Sequence, residues 1–413
     1  MLITPLYTKK HMRVFVMLMI LCCCHLTANA QYFDLKGNSK RTTIPFRMIR
    51  DMIIIELKIN NKGPFNFILD TGVGLMLITD PKLVDSINLV NKRTLKIAGI
   101  GEGDAFEAYV TSTLDVQIRG LVSYDVASAI LKTDHFGLSN YAGIPIHGLL
   151  GYEFFNNLAV KINFSDSTLS VSKAKDMRVF SKGNRIPFTI EERKPYVEAK
   201  VTYADGVKAT NKLVLDLGAG HALSLENAIE KHGLPEKFVA ANLGVGLTGP
   251  VNGYLGRVKE IAIGRFKLKD VITSFPAGEQ YKSLAVKRDG NLGIGILKRF
   301  NVIIDYPDSA VYLKQGVNFK APFEHDMSGM EYYSAGADFD RIIISRVEPG
   351  SPADALGLEK DDEILAINFK PVKKMTLEQI DSLFKSQTDR SLLLEIYHDN
   401  RRDDVILTLK RRI

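Results

Sequence analysis

Two stretches of the chain repeat one another at a nearly fixed offset, and such a duplication restricts the fold more than any single motif can. Phe67-Ile68-Leu69-Asp70-Thr71-Gly72 runs three apolar residues into an Asp-Thr-Gly turn. Leu213-Val214-Leu215-Asp216-Leu217-Gly218 does the same, with its aspartate 146 residues later. Each reads as a buried strand delivering a carboxylate onto a tight turn. Gly72 and Gly218 let the backbone turn sharply and let another chain approach closely. The landmarks continue in step. Gly99-Ile100-Gly101 and Tyr109 match Gly244-Val245-Gly246 and Tyr254, and Gly148-Leu149-Leu150-Gly151 matches Gly290-Asn291-Leu292-Gly293. Residues 159–164 match 301–306, and Asp166-Ser167 and Asp308-Ser309 occupy the same turn beyond them. Two lobes of one fold packed about a pseudo-twofold axis bring equivalent turns face to face. Asp70 is therefore expected beside Asp216.

Two carboxyl groups that close cannot both ionise comfortably, so the pair holds a proton between them. The charged member can polarise a water, while the protonated member can donate to a carbonyl or a leaving amine. Such chemistry needs no covalent intermediate, metal or cofactor.

These residues resemble the pepsin-type and retropepsin-like aspartic proteases, over about residues 44–316. The resemblance implies that Asp70 and Asp216 are catalytic, on turns built with Thr71, Gly72, Leu217 and Gly218. It implies that the segments 148–151 and 290–293 support those turns. Residues 97–103, with Gly99, Ile100 and Gly101, look like a flap hairpin closing over substrate; Gly244, Val245 and Gly246 are its counterpart. Tyr109 and Tyr254 either touch substrate from these hairpins or simply pack them. Val73 and Ala219 stand where pepsin-like enzymes carry Ser or Thr, so the retropepsin-like branch fits better. One departure concerns the residue after each aspartate, whose hydroxyl in this family locks the two turns together. Thr71 keeps that hydroxyl and Leu217 does not, so half of the interlock is expected to be missing, a loss of about 1 kcal/mol for a neutral hydrogen bond.

At the start of the chain, Lys9, Lys10 and Arg13 precede an apolar run from Val14 to Cys24 and a small-x-small site, Ala28-Asn29-Ala30. This reads as a secretory signal over residues 1–30, cleaved before Gln31, with an uncleaved anchor as the alternative. Its three cations contribute to a formal charge of +7, leaving a balance that calls for neither nucleic acid nor an anionic membrane. All three cysteines, Cys22, Cys23 and Cys24, sit inside it. A chain cleaved there has no thiol nucleophile, thiolate zinc site or disulfide. Export without disulfides suits a bacterial envelope, either periplasmic or secreted.

Beyond Gly316 the repeat stops. Residues 322–328 read as a linker, Arg341-Ile342-Ile343-Ile344-Ser345-Arg346-Val347 as a strand, and Pro349-Gly350-Ser351-Pro352-Ala353 and Lys360-Asp361-Asp362-Glu363-Ile364 follow. This pattern resembles the PDZ domains of bacterial envelope proteases, with Lys360-Asp361 in place of the usual Gly-Asp. Such domains bind an extended peptide as an added strand and hold its terminal carboxylate on backbone amides. The resemblance puts that loop at Ser328, Gly329, Met330, Glu331 and Tyr332. A helix over residues 376–385, with Leu377, Ile380, Leu383 and Phe384 at helical spacing, would wall the groove.

His221 and His232 show no metal-binding spacing, His147 sits where the resembled protease family often has an acid, and the histidines read as structural. The expected fold is mainly β: two pseudo-twofold-related acid-protease β-barrel lobes followed by a small PDZ-like β-barrel with one or two helices. The expected bounds are 31–178 and 179–318 for the lobes and 325–413 for the PDZ domain. Short helices are expected at residues 81–89 and 226–232. Two functions stay open. One is an exported aspartic endopeptidase whose PDZ domain binds peptide or protein C-termini. The other is a catalytically impaired, protease-like peptide-binding scaffold.

Overall fold

The computed structural model describes residues 32–89, 91–97, 106–246, 249–278 and 285–413. The signal segment 1–30 and the flap residues Gly99, Ile100 and Gly101 lie outside them.

Strands dominate, and their burial follows their sequence. Met52–Ile59 opens with four consecutive buried residues, and Lys194–Thr202 has three, Pro195, Tyr196 and Val197, after a half-buried Lys194. Each then alternates, with Glu56 and Lys58, or Glu198 and Lys200, facing out between buried neighbours. A strand covered on both faces reads as a run of apolar residues, and one covered on a single face alternates.

Each lobe closes on itself. In the first, neighbouring strands follow the order Leu121–Leu131, Met76–Ile78, Gly148–Leu150, Lys62–Leu69, Met52–Ile59 and Phe106–Ile118, and the last pairs back onto the first. In the second the order is Phe266–Pro276, Leu223–Leu225, Gly290–Leu292, Lys208–Leu215, Lys194–Thr202 and Gly249–Ile263, again returning to its start. Closure gives each of the six strands named in either ring a neighbour on both sides. The sense of pairing matches as well: Gly148–Leu150 runs parallel to Lys62–Leu69, as Gly290–Leu292 does to Lys208–Leu215.

A six-stranded sheet joins the lobes in the order Asn184–Pro187, Ala310–Gln315, Phe300–Asp305, Ala159–Asn163, Thr168–Ser172 and Arg41–Pro45. Its central pair is antiparallel and places Lys161 opposite Ile303. Those two residues are equivalents in the repeat, so the pseudo-twofold axis passes between them. The outer strands obey the same symmetry. Phe46 N–H donates to Ser167 O at 2.9 Å, and Phe188 N–H to Ser309 O at 3.0 Å. Here Ile44-Pro45-Phe46 and Ile186-Pro187-Phe188 form a further repeated triplet. Val160, Ile162, Val302 and Ile304 are fully buried in one core continuous with both barrels.

The chain then forms a separate sheet, ordered Met330–Ala335, Arg341–Val347, Glu363–Ile367, Ser391–His398 and Arg401–Thr408, over its own core. The helix Leu377–Phe384 packs Leu377, Ile380 and Phe384 into that core. Thr376 starts it with a capping box shared with Gln379, which satisfies two otherwise orphaned amides. The two shorter helices are narrower than expected, at Leu83–Ser86 and Ala228–His232.

Candidate active site

The two aspartates arrive on turns built alike. The strand Lys62–Leu69 pairs Phe67 with Gly148 and Leu69 with Leu150, and Asp70 N–H donates to Leu150 O at 3.0 Å. In the second lobe Leu213 pairs with Gly290 and Leu215 with Leu292, and Asp216 N–H donates to Leu292 O at 2.9 Å. The turns face each other across the axis. A Cβ on Gly72 would lie 2.8 Å from Asp216 Oδ2, and one on Gly218 would overlap the Asp70 carboxyl. Glycine is required at both positions by this close approach rather than by an unusual φ.

Each carboxyl group lies against the glycine of the opposite turn, and each residue is less than a tenth exposed. Their surroundings differ. Asp216 Oδ1 accepts the Gly218 and Ala219 N–H groups at 3.0 and 3.1 Å, and its Oδ2 accepts from Asn291 Nδ2 at 2.9 Å. Asp70 Oδ1 accepts the Gly72 N–H at 2.7 Å. Burial, and next to it the charge of Asp216, push the Asp70 carboxyl well above the ordinary range. Tyr306, which contacts Tyr152, Phe155 and Phe188, lies near enough to both acids that their charge acts on its own hydroxyl. Half-buried Lys194 adds a positive field at both acids. Neither Asn291 nor Lys194 stood out in the sequence as a site residue. Asn291 could have been found by its position, since it breaks the apolar pattern that Leu149 keeps.

Thr71 ties the turns together. Its buried Oγ1 donates to Leu215 O at 2.6 Å and accepts the Leu217 N–H at 2.9 Å. Leu217 instead sends its side chain into the core. Behind the turns, His147 and Asp289 do one job in the two lobes: His147 Nδ1 accepts the Asn66 N–H at 3.1 Å, and Asp289 Oδ2 accepts the Lys212 N–H at 2.9 Å. His232 stacks on Tyr203 and meets Asp205 at 3.3 Å.

In the second lobe the hairpin of Phe238–Gly246 and Gly249–Ile263 carries Gly244, Val245 and Gly246 near its tip, with a bulge between Asn242 and Val245. Val245 is exposed. Tyr109 and Tyr254 sit in equivalent hairpins, partly buried against the core. Tyr254 meets Phe238 edge-on, and Lys92 and Lys132 lie over the Tyr109 ring.

The five residues expected to cradle a peptide terminus are engaged within the chain. The Ser328 and Gly329 N–H groups and Ser328 Oγ all donate to Asp326 Oδ1, and Met330 N–H donates to Ser328 Oγ. Glu331 accepts from Arg346 at 2.8 Å and lies near Asn242 of the second-lobe hairpin. Tyr332 meets Arg50 and Asp381.

Two measurements check these assignments. Thr71→Val strands two buried backbone groups and is expected to cost about 2–4 kcal/mol in urea unfolding, with Thr71→Ser close to wild type. Equal stability of the two variants would remove the interlock. Glu153, buried behind the first turn, is pushed up to about 7 by burial, with Arg193 3.8 Å away. Between its ordinary 4.5 and 7 the folded chain holds the proton more tightly than the unfolded chain, so stability falls as pH rises through that window. Glu153→Gln is expected to stabilise the protein by about 3 kcal/mol at pH 8 and hardly at all at pH 4. A pH-independent effect would contradict this.

Residues 55–154 match the family model described as aspartyl protease, and residues 343–397 match that of the PDZ domain. One similar solved structure is the photosystem II D1 C-terminal processing protease, 19% identical over 21% of this chain and 23% of that one. Its TM-score is 0.20, and so slight an overlap carries no argument. With a paired-aspartate site between two closed lobes and a third small sheet beyond them, the chain carries an aspartyl protease domain followed by a PDZ domain.

Proposed function

We propose that the chain is an exported aspartic endopeptidase that hydrolyses peptide bonds with water activated by Asp70 and Asp216. The observation that carries this reading is the mutual seating of the two acids: each glycine turn lies against the opposite carboxyl in a buried site, where one proton would serve both.

The unequal surroundings assign the roles. Asp216, with three donors on its oxygens, is the carboxylate; Asp70, pushed up by burial and by its neighbour, carries the proton. Asp216 takes a proton from water as the water oxygen bonds to the peptide carbonyl carbon, and Asp70 gives its proton to the carbonyl oxygen. The tetrahedral diol then collapses. Asp216 passes its proton to the nitrogen, Asp70 recovers one from a hydroxyl, and the C–N bond breaks. Acid and amine leave, and the pair returns to its starting state. The hairpin of Phe238–Gly246 and Gly249–Ile263 is the described counterpart of the flap that would hold the substrate extended. The positive opening, apolar run and Ala-x-Ala of residues 9–30 support export.

Leu217 favours the competing reading, a scaffold that binds peptides without cutting them, because it leaves the turns joined through a single hydroxyl. Incubating the purified chain with a peptide library from pH 3 to 8 separates the two. Cleavage is expected to fall about 1,000-fold or more in Asp70→Asn and in Asp216→Asn. Asn291→Leu, which removes one donor to a charged group, is expected to lower kcat about tenfold. No cleavage by the wild type, or cleavage that survives both aspartate changes, would sink the endopeptidase. Mass spectrometry of the protein from its native envelope is expected to find Gln31 at the N-terminus; a retained residue 1 would make the segment an anchor.

A further inference from the structure

A PDZ groove lies between an edge strand and a helix, and an extended ligand completes the sheet there through main-chain hydrogen bonds. In this chain the edge strand is Met330–Ala335, paired on one side with Arg341–Val347, and the helix is Leu377–Phe384. The first protease lobe already reaches both. Arg50, at the tip between Arg47–Ile49 and Met52–Ile59, donates from Nη1 to Tyr332 O at 2.9 Å. From Nη2 it donates to Asp381 Oδ1 on the helix at 3.1 Å. Two residues along the strand, Ser334 O accepts from Asn140 Nδ2 at 2.9 Å. These alternate carbonyls lie on the edge turned away from Arg341–Val347, where a ligand strand would pair.

The contact is built rather than incidental. Arg50 lies between the rings of Tyr141 and Tyr332, 4.8 and 4.6 Å from their centroids, and its side chain is 6% exposed. Tyr332 also donates its hydroxyl to Asp381. Gly143 closes the mouth of the groove: a Cβ there would stand 3.0 Å from Ser334 Oγ on the strand and 3.1 Å from Leu377 Cδ1 on the helix. The amides nearest the end of the groove, those of Ser328 and Gly329, already hold a carboxylate, that of Asp326.

We infer that the occupant of the PDZ groove is the chain's own first lobe, through the Arg50 turn and the segment Leu138–Ala142 with Gly143, and that a peptide C-terminus binds only by displacing it. Docking and ligand binding then exclude each other. The displaced contacts also reach the rest of the protease. Asp51, beside Arg50, bridges to Lys298 of the second lobe at 2.6 Å.

The test measures binding alone. Every arm uses the full chain with Asp70→Asn, so that the probe is not cut, and with Cys22, Cys23 and Cys24 changed to Ser. This keeps the result independent of the endopeptidase reading. The probe is a pool of fluorescein-labelled decapeptides with free, apolar C-termini, read by anisotropy. Arg50→Ala with Asn140→Ala is expected to tighten binding about tenfold or more. The pair Gly143→Cys and Ser334→Cys would bring Cβ atoms to 3.6 Å, within disulfide range. Its oxidised form is expected to lose binding, and dithiothreitol to restore it. Equal affinity of the parent and the Arg50→Ala/Asn140→Ala form would overturn the inference. So would absence of binding in every form, or binding by the oxidised form as strong as by the reduced one.

Discussion

The candidate site depends on one antiparallel pairing, that of Ala159–Asn163 with Phe300–Asp305. Because Lys161 faces its own counterpart Ile303, the pairing sets the symmetry axis, and with it the separation of everything the two lobes present to each other. Val160, Ile162, Val302 and Ile304 are fully buried around it, each worth about 1.5–3 kcal/mol of transfer free energy. The hydrogen bonds from Phe46 and Phe188 repeat across the same axis. A shift of register there would exchange buried and exposed faces on both strands, so the placement of the two acids inherits the precision of a core.

Within that symmetric frame the contents differ where chemistry would need them to. Thr71 faces Leu217 in the repeat, Leu149 faces Asn291, and Glu153 faces Gly295. The strand-level machinery is duplicated: parallel pairing behind each turn, an amide of each acid on a backbone carbonyl, and a glycine against the opposite carboxyl. The side chains that decide where a proton rests are not. Asn291 gives one acid a donor that the other lobe has no side chain to supply at the equivalent Leu149. Symmetry delivers proximity, and its local failure delivers unequal partners.

Much of this was legible in the sequence, for a physical reason. Turn glycines, buried strand runs and the Asp-Thr-Gly pattern are local requirements, and a duplication prints them twice. The PDZ helix was legible through its apolar spacing and through Thr376, a natural cap. The roles of Asn291 and His147 were not, because a polar residue on a strand shows its partner only once strands are paired. The Ile-Pro-Phe triplet was present but carries no turn or charge to mark it. The docking of the PDZ sheet was the least legible feature. Arg50 reads as an ordinary hairpin residue, and its partners Tyr332 and Asp381 lie about 280 and 330 residues away.

The central claim is that two buried acids, brought together by a duplicated fold, share one proton. It is tested most directly by carbon-13 NMR titration of the aspartate carboxyls in the full chain, with Asp70 assigned by substitution. The expected result is an Asp70 resonance that stays protonated well above the ordinary carboxylate range and titrates at lower pH when Asp216→Asn removes the neighbouring charge. An Asp70 that titrates near 3.8, and does so regardless of what stands at position 216, would contradict the account.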